Sequence, residues 1–386
     1  FFKKTENFLK KNNDNALLGI PYLNPHFPRS INYERKKINF RIGLLQNLKK
    51  FLDRFINFRE DINFYKKNNF KHLVVSHLVS IDQVDYLNDF YYGDLGKRLG
   101  KDNTLFVLID HIGFEKKKVK KKFNGNFIIL SKYLSPSIEL KLFLLTTIKV
   151  LVYDLFRTDL KIFSLKNILS SIENQRISIQ IFKISKKFNF RNIFLTFEGN
   201  PYEKIICNKL KKTNQKILIF GYQFGVIRKL QHSLYFDIGK NFYPNIIFTI
   251  GEYNKKILQS KFKTRLKIIN TGSFKKNKIY TPTKIKNKNK NKIQILVMPE
   301  GIMEEIKIFE KYCSKNITDD VVFNFRLHPI FSKNKKLIKF LTSKNPRIKI
   351  STNSINNDYR NNNFLLYRGS AAVINAVNNG LIPIYL

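Results

Sequence analysis

FLLYRGSAAVINAVNNGLIPIYL, residues 364–386, reads as strand, turn, helix and second strand. The apolar run from Phe364 ends in Arg368-Gly369-Ser370, a helix opens on Ser370 and closes at Gly380, and a new apolar run starts at Ile382. Ser370 suits an N-cap because its hydroxyl can accept from the first free backbone N–H groups. Ala371, Ala372, Val373, Ile374 and Ala376 favour or pack a helix, and Gly380 suits its stop. Such a β-turn-α-β unit aims unpaired N–H groups and the helix dipole at the space above the strand end, where an anion such as phosphate is favoured. An ordinary crossover with a good cap fits the same residues.

A second unit of this kind precedes it. Ile293 to Met298 is a buried-type strand, Pro299-Glu300-Gly301 a turn, and Met303 to Ser314 helical in pattern. Val321 to Leu327 is a further strand, ending at Arg326-Leu327-His328-Pro329, where Pro329 halts regular structure and holds the imidazole at the strand's carboxyl edge. Three successive strands thus end in polar residues, at the edge where open α/β sheets take ligands.

Upstream the pattern repeats. Leu73 to Leu78, Thr104 to His111, Asn192 to Phe197, Lys216 to Phe220, Asn245 to Ile250 and Leu266 to Asn270 are strands. The polar turns after them include Glu198-Gly199-Asn200, Gly221-Tyr222-Gln223, Gly251-Glu252 and Thr271-Gly272-Ser273. A helix follows Pro201, two or three more fill Ser137 to Asn189, and another is expected over Asn39 to Asn68. The regular alternation predicts doubly wound parallel sheets.

The order Pro299-Glu300-Gly301, His328-Pro329, then Gly369-Ser370 before an Ala-rich helix resembles the nucleotide-sugar half of bacterial GT-B glycosyltransferases that build surface carbohydrates. Bacterial sialyltransferases and capsule Kdo transferases, which use CMP-sugars and carry a His-Pro motif beside the nucleotide, are the nearest in pattern. Glu198 to Glu203 and Gly221 to Gly225 are similar to that group's Glu-x-x-Pro-Trp-Glu and Gly-Tyr-Gln-His-Gly segments. Tyr202 stands where Trp is usual, and Phe224 where His is. The resemblance covers roughly residues 70–386. It implies two Rossmann-like domains facing a cleft, with strand ends at Glu198, Gln223, Glu300, His328 and Gly369 on that cleft. The nucleotide sugar, a co-substrate rather than a cofactor, is expected on Glu300, Gly301, His328, Pro329, Arg368, Gly369, Ser370 and Ala371, and the acceptor glycan or glycolipid near Gln223, Gly272 and Ser273.

Composition sets the domain plan. Lys and Arg number 71 against 28 Asp and Glu, for a net charge of +43. That balance raises nucleic acid or an anionic membrane as partner. The charge is spread along a Lys-, Asn-, Ile- and Phe-rich chain and no nucleic-acid-binding module is present, so a basic nucleic-acid-binding protein is the weaker alternative. KKNKIYTPTKIKNKNKNK, residues 275–292, lacks apolar periodicity and reads as a linker between residues 1–274 and 293–386. Cys207 and Cys313 form neither a disulfide framework nor a zinc spacing. The most apolar helical run, Leu140 to Phe156, is broken by Lys141, Lys149 and Asp154, against a membrane span. No signal peptide shows within the sequence, and a start at Phe1 rather than Met with an end on a strand gives the expectation of a fragment at both ends, with an incomplete C-terminal domain. The expected location is the cytoplasm, with peripheral contact at the inner membrane.

The chemistry needs a base for the acceptor hydroxyl and a clamp for the leaving phosphate. No Asp-x-Asp triplet is present for a metal, so the clamp is expected from His328, Arg368, Ser370 and backbone N–H groups. Glu198 is the first candidate base, with capping of the Pro201-led helix as its structural alternative. Asp89 and Asp94 in the aromatic loop Asn88 to Asp94, whose aromatic packing is the structural alternative, and His77 at a strand end are the other candidates, and Glu203 is expected to face the helix dipole. A sugar-nucleotide epimerase or a polyol-phosphate transferase would use the same fold.

Overall fold

The structure, a computed structural model, describes residues 69–386 except 79–84, 112–122, 124, 132, 157–164, 214–215, 228–233, 235–237, 263–265, 275–291, 301, 317, 329–330, 333, 345–346 and 371. The helix expected over 39–68, nearly all of the linker, and Gly301, Pro329 and Ala371 lie outside the described residues. The chain divides into two compact units, Phe1–Lys276 and Asn277–Leu386.

The first unit holds seven parallel strands: β1 (His72–Leu78), β2 (Thr104–Asp110), β3 (Asn126–Ile129), β4 (Asn192–Thr196), β5 (Leu218–Gln223), β6 (Ile246–Thr249) and β7 (Lys267–Asn270). Their order is β3-β2-β1-β4-β5-β6-β7. Its helices are α1 (Leu95–Leu99), α2 (Pro136–Phe156), α3 (Leu165–Phe188), α4 (Pro201–Thr213) and α5 (Glu252–Lys261). The apolar strands are buried on both faces, as parallel sheets require. Leu73, Val75, Leu105, Val107, Ile193 and Leu195 pack against Ile181 and Ile184 of α3 and Ile206 and Leu210 of α4. The alternate residues Val74, Phe106, Leu108 and Phe194 meet Tyr86, Tyr92 and Tyr222 on the other face. A buried ion pair, Arg176 Nη2 to Glu139 Oε2 at 2.9 Å, ties α3 to α2.

The strand boundaries shift by one to three residues from the sequence reading, most at the end of β5. Gly221-Tyr222-Gln223, taken there as a turn, continues β5. Gly221 is required by packing: a Cβ there would lie 2.5 Å from Pro244 Cγ and 3.0 Å from Phe197 Cβ.

The second unit has five parallel strands: β8 (Ile293–Val297), β9 (Val321–Phe325), β10 (Ile348–Ile350), β11 (Phe364–Tyr367) and β12 (Ile382–Tyr385), in the order β10-β9-β8-β11-β12. Its helices are α6 (Met303–Lys315), α7 (Lys335–Lys344), α8 (Ile355–Asn361) and α9 (Ala372–Asn378). The stop at Gly380 works as read. Gly380 has φ +88°, its N–H donates to Val377 O at 2.9 Å, and Leu381 N–H reaches Ala376 O at 3.1 Å. This is a Schellman closure with Leu381 and Ala376 packed in one cluster.

In both units the first strand lies between strands reached in opposite directions, β1 between β2 and β4, β8 between β9 and β11. Loops leaving such neighbours diverge and open a crevice at the carboxyl edge. No helix among the described residues is long and apolar enough to cross a membrane.

Candidate functional site

At the first unit's carboxyl edge, β1 and β4 bring together residues far apart in sequence. His77 Nδ1 lies 2.8 Å from His111 Nε2, and its Nε2 lies 3.0 Å from Thr196 Oγ1 and 3.1 Å from Tyr202 Oη. The two imidazoles stack at 5.1 Å between centroids. Tyr91 packs edge-on to His77 at 5.2 Å and to Phe224 at 4.8 Å, so an apolar ring fills the place where the resemblance leads one to expect a histidine. Burial, and then His111, hold the His77 pKa down to about 3. His77 is therefore a neutral hydrogen-bonding ring near pH 7, a poor proton acceptor by comparison with a carboxylate.

Glu198 follows β4, partly buried. A Cβ on Gly225 would lie 3.0 Å from Glu198 Oε1, which places that carboxylate against the loop after β5. Its charge also reaches two phenols: burial first, then Glu198, raise the Tyr91 pKa, and Glu198 adds to the rise at fully buried Tyr202. Glu203 does more than face a dipole. Its carboxylate accepts from the N–H groups of Glu198 at 3.0 Å, Gly199 at 2.9 Å and Asn200 at 3.0 Å, and from Asn200 Nδ2 at 2.9 Å. Gly199, at φ +89°, has the backbone that wraps this turn around the carboxylate. Burial pushes the Glu203 pKa up to about 8, against the pull of the Asn200 amide and of the Glu198 N–H.

Two other expected residues serve the scaffold. Buried Asp89 accepts from Ser76 Oγ at 2.9 Å and from the N–H groups of Tyr91 and Tyr92 at 2.9 Å, closing the turn to Gly93. These donors turn the carboxylate into the fold. Buried Gln223 donates to Gly225 O and accepts from Asn254 Nδ2 at 2.6 Å, shaping the loop beneath Glu198. Gly272, at φ +71°, and exposed Ser273 follow β7, three strands away from β4 across β5 and β6.

In the second unit Glu300 is buried after β8, and its N–H donates to Glu305 Oε2 at 2.7 Å. His328 lies exposed beyond β9, its carbonyl accepting from Phe331 N–H at 2.8 Å. Its surroundings lower the pKa by desolvation, while the carboxylate of Glu300 acts in the opposite sense, so the two side chains are electrostatic neighbours. Arg326 is held by Asp358 Oδ2 at 2.6 Å and Asn353 O at 2.8 Å. Arg368 is exposed and Gly369 and Ser370 half-buried after β11; Ser370 Oγ accepts from Ala372 N–H at 3.3 Å, the cap read from sequence. His111, Tyr91, Tyr202 and Asn254 were not legible as site residues, because their roles depend on which strands are neighbours.

No protein-family model matches the chain, and no curated protein does. Among solved structures it is similar to the calicheamicin glycosyltransferase CalG4, with a TM-score of 0.45 and 9% identity over 82% of this chain and 80% of that one. It is also similar to the lipopolysaccharide outer core galactosyltransferase WaaB in its apo form, at 0.44 and 12% over 82% and 80%. A third is UGT2 of Phytolacca americana complexed with UDP-2-fluoro-glucose and pterostilbene, at 0.46 and 10% over 83% and 81%. At these identities, and with TM-scores below 0.5, the likenesses decide no activity. Any reading of activity rests on the chain's own strand order and side chains.

Proposed function

We propose that the chain is a metal-independent glycosyltransferase of the GT-B type, moving a sugar from a nucleotide donor to a hydroxyl of a surface polysaccharide or lipopolysaccharide precursor. What supports this reading is one repeated observation. Each unit is a parallel sheet whose order reverses at its first strand, and each carries a glutamate just beyond a strand at that reversal, Glu198 after β4, which neighbours β1, and Glu300 after β8, which neighbours β11. Nucleotides favour that place in doubly wound sheets.

In this reading Glu198 takes the acceptor hydroxyl proton as the glycosidic bond forms, and the nucleotide leaves with its phosphate charge balanced by His328, Arg368, Ser370 and backbone N–H groups. Glu300, Gly301, Pro329, Gly369 and Ala371 shape the donor side, and Gln223, Gly272 and Ser273 the acceptor side. The His328-Pro329 resemblance favours a CMP-linked acidic sugar. In this reading the protein works in the cytoplasm, with peripheral contact at the inner membrane, whose anionic lipids would suit the basic chain.

A thermal-shift series with CMP, UDP, GDP and CDP tests it. A nucleotide at 100 times its Kd stabilises the native state by ~2.7 kcal/mol, so one base should raise the melting temperature and the others should not. No shift with any of them, together with retention on heparin, would replace this reading by nucleic-acid binding. Conversion of a nucleotide sugar without acceptor would make the chain an epimerase, and a response to CDP with polyol-phosphate transfer would make it a polyol-phosphate transferase.

A further inference from the structure

The pattern Glu-Gly-x-x-x-Glu occurs once in each unit, as EGNPYE at 198–203 and EGIMEE at 300–305. Both copies follow a strand, and in both a 13-residue helix begins three residues after the first glutamate, at Pro201 and at Met303. The second glutamate is then the third residue of its helix, and it is buried in each case. In each case its carboxylate accepts from the backbone N–H of the first glutamate, at 3.0 Å in one unit and 2.7 Å in the other.

Helix capping alone does not call for this. A glutamate at the third position of a helix commonly reaches the residue just before the helix. Glu203 makes that contact, to Asn200 N–H, and both glutamates also reach two residues further, to the residue that would face a ligand. Burying a carboxylate is also costly, and a serine or aspartate before the helix could satisfy its first N–H groups at the surface. The arrangement gains something else: the first glutamate of each copy has its backbone fixed from inside the protein.

We infer that Glu203 and Glu305 are positioning residues, each clamping the turn that presents Glu198 or Glu300 at the carboxyl edge of its unit. The clamp stands on the geometry; what the presented carboxylates do rests on the glycosyltransferase reading.

Hydrogen exchange by mass spectrometry tests the clamp, each unit serving as control for the other. Glu203→Ala should speed exchange at Glu198, Gly199 and Asn200 by ~10- to 100-fold, the loss of the buried carboxyl's hydrogen bonds to those N–H groups, and leave the turn at Glu300 unchanged. Glu305→Ala should do the reverse. The Gln variants keep one acceptor oxygen and should restore part of the protection; they also serve if an Ala variant does not fold. Unchanged exchange in a variant's own turn, or an equal rise across β1 and β4 with no rescue by Gln, would overturn the inference. Nucleotide release from UDP-, GDP- and CMP-sugars gives the functional arm. Glu203→Ala should lower kcat by at least ~10-fold with KM within ~2-fold, since the clamp acts on the presented group and not on donor binding. Full kcat in that variant would also overturn the positioning role. Absence of release by the wild-type protein would count against the glycosyltransferase reading only, and the exchange result would still decide the clamp.

Discussion

Replacing Glu203 by Gln should change how stability depends on pH, in a window set by the titrations of this protein. Glu203 has its pKa raised from 4.5 to about 8, so between those values the folded chain holds a proton that the unfolded chain has released. Stability from this group is complete below pH 4.5 and is lost as pH rises toward 8. His77 acts in the opposite sense. With its pKa lowered from 6.5 to about 3, it favours folding above pH 6.5 and loses that contribution as pH falls. His72, His111 and His328, all lowered, act as His77 does. Below pH 6.5 the glutamate and the histidines therefore oppose one another, and above it Glu203 stands alone among them. One proton over one pH unit is worth about 1.36 kcal/mol, so the wild-type protein should lose roughly 1–2 kcal/mol between pH 6.5 and 8. Glu203→Gln should be flat there. Urea unfolding followed by tyrosine fluorescence suits a chain with 18 Tyr and no Trp. Variant and wild type are compared at each pH, so that unfolding of the second unit cancels. A Gln variant that keeps the fall between pH 6.5 and 8 would refute the reasoning.

Glu198→Gln keeps size and polarity but cannot take a proton; turnover should fall ~10²- to 10⁴-fold with nucleotide affinity near wild type, and retained activity would send the search for a base elsewhere. His328→Ala should weaken nucleotide binding by ~1–3 kcal/mol in calorimetry, the scale of a hydrogen bond to a charged group, and an unchanged Kd would leave His328 a turn residue. Gly225→Ala puts a methyl group 3.0 Å from Glu198 Oε1 and must displace that flexible carboxylate; turnover should drop while the melting temperature moves little, and the opposite outcome would detach Gly225 from the site.

The two parallel sheets were legible because their strands are short apolar runs closed by polar turns, as in Ile293 to Met298 and Phe364 to Tyr367. β3 and β10 were not, since Asn126–Ile129 and Ile348–Ile350 are too short to stand out in a chain rich in Ile and Phe. Gly221 misled because glycine marks both a turn and a close contact, and only the position of Pro244 distinguishes them. At the site, Glu198 was legible by its place after a strand. Glu203 was assigned the weaker role, because a first-turn carboxylate looks the same in sequence whether it faces water or three inward N–H groups. The neighbourhood of His77, His111 and Tyr202 follows from the order β2-β1-β4, which no local pattern encodes.

The contact between His77 and His111 constrains more than position. A hydrogen bond joining two neutral imidazoles has one proton, so one ring gives and the other receives; the giving ring is left bare at its other nitrogen, and the receiving ring has its proton there. When exposed His111 is protonated, its Nε2 can only give. His77 must then receive at Nδ1 and carry its own proton on Nε2, which donates toward Thr196 Oγ1 or Tyr202 Oη. When His111 is neutral with a bare Nε2, the whole row reverses and one of those hydroxyls donates to His77 instead. A single protonation event at the surface thus fixes the polarity of a row of hydrogen bonds running into the protein, without moving a backbone atom.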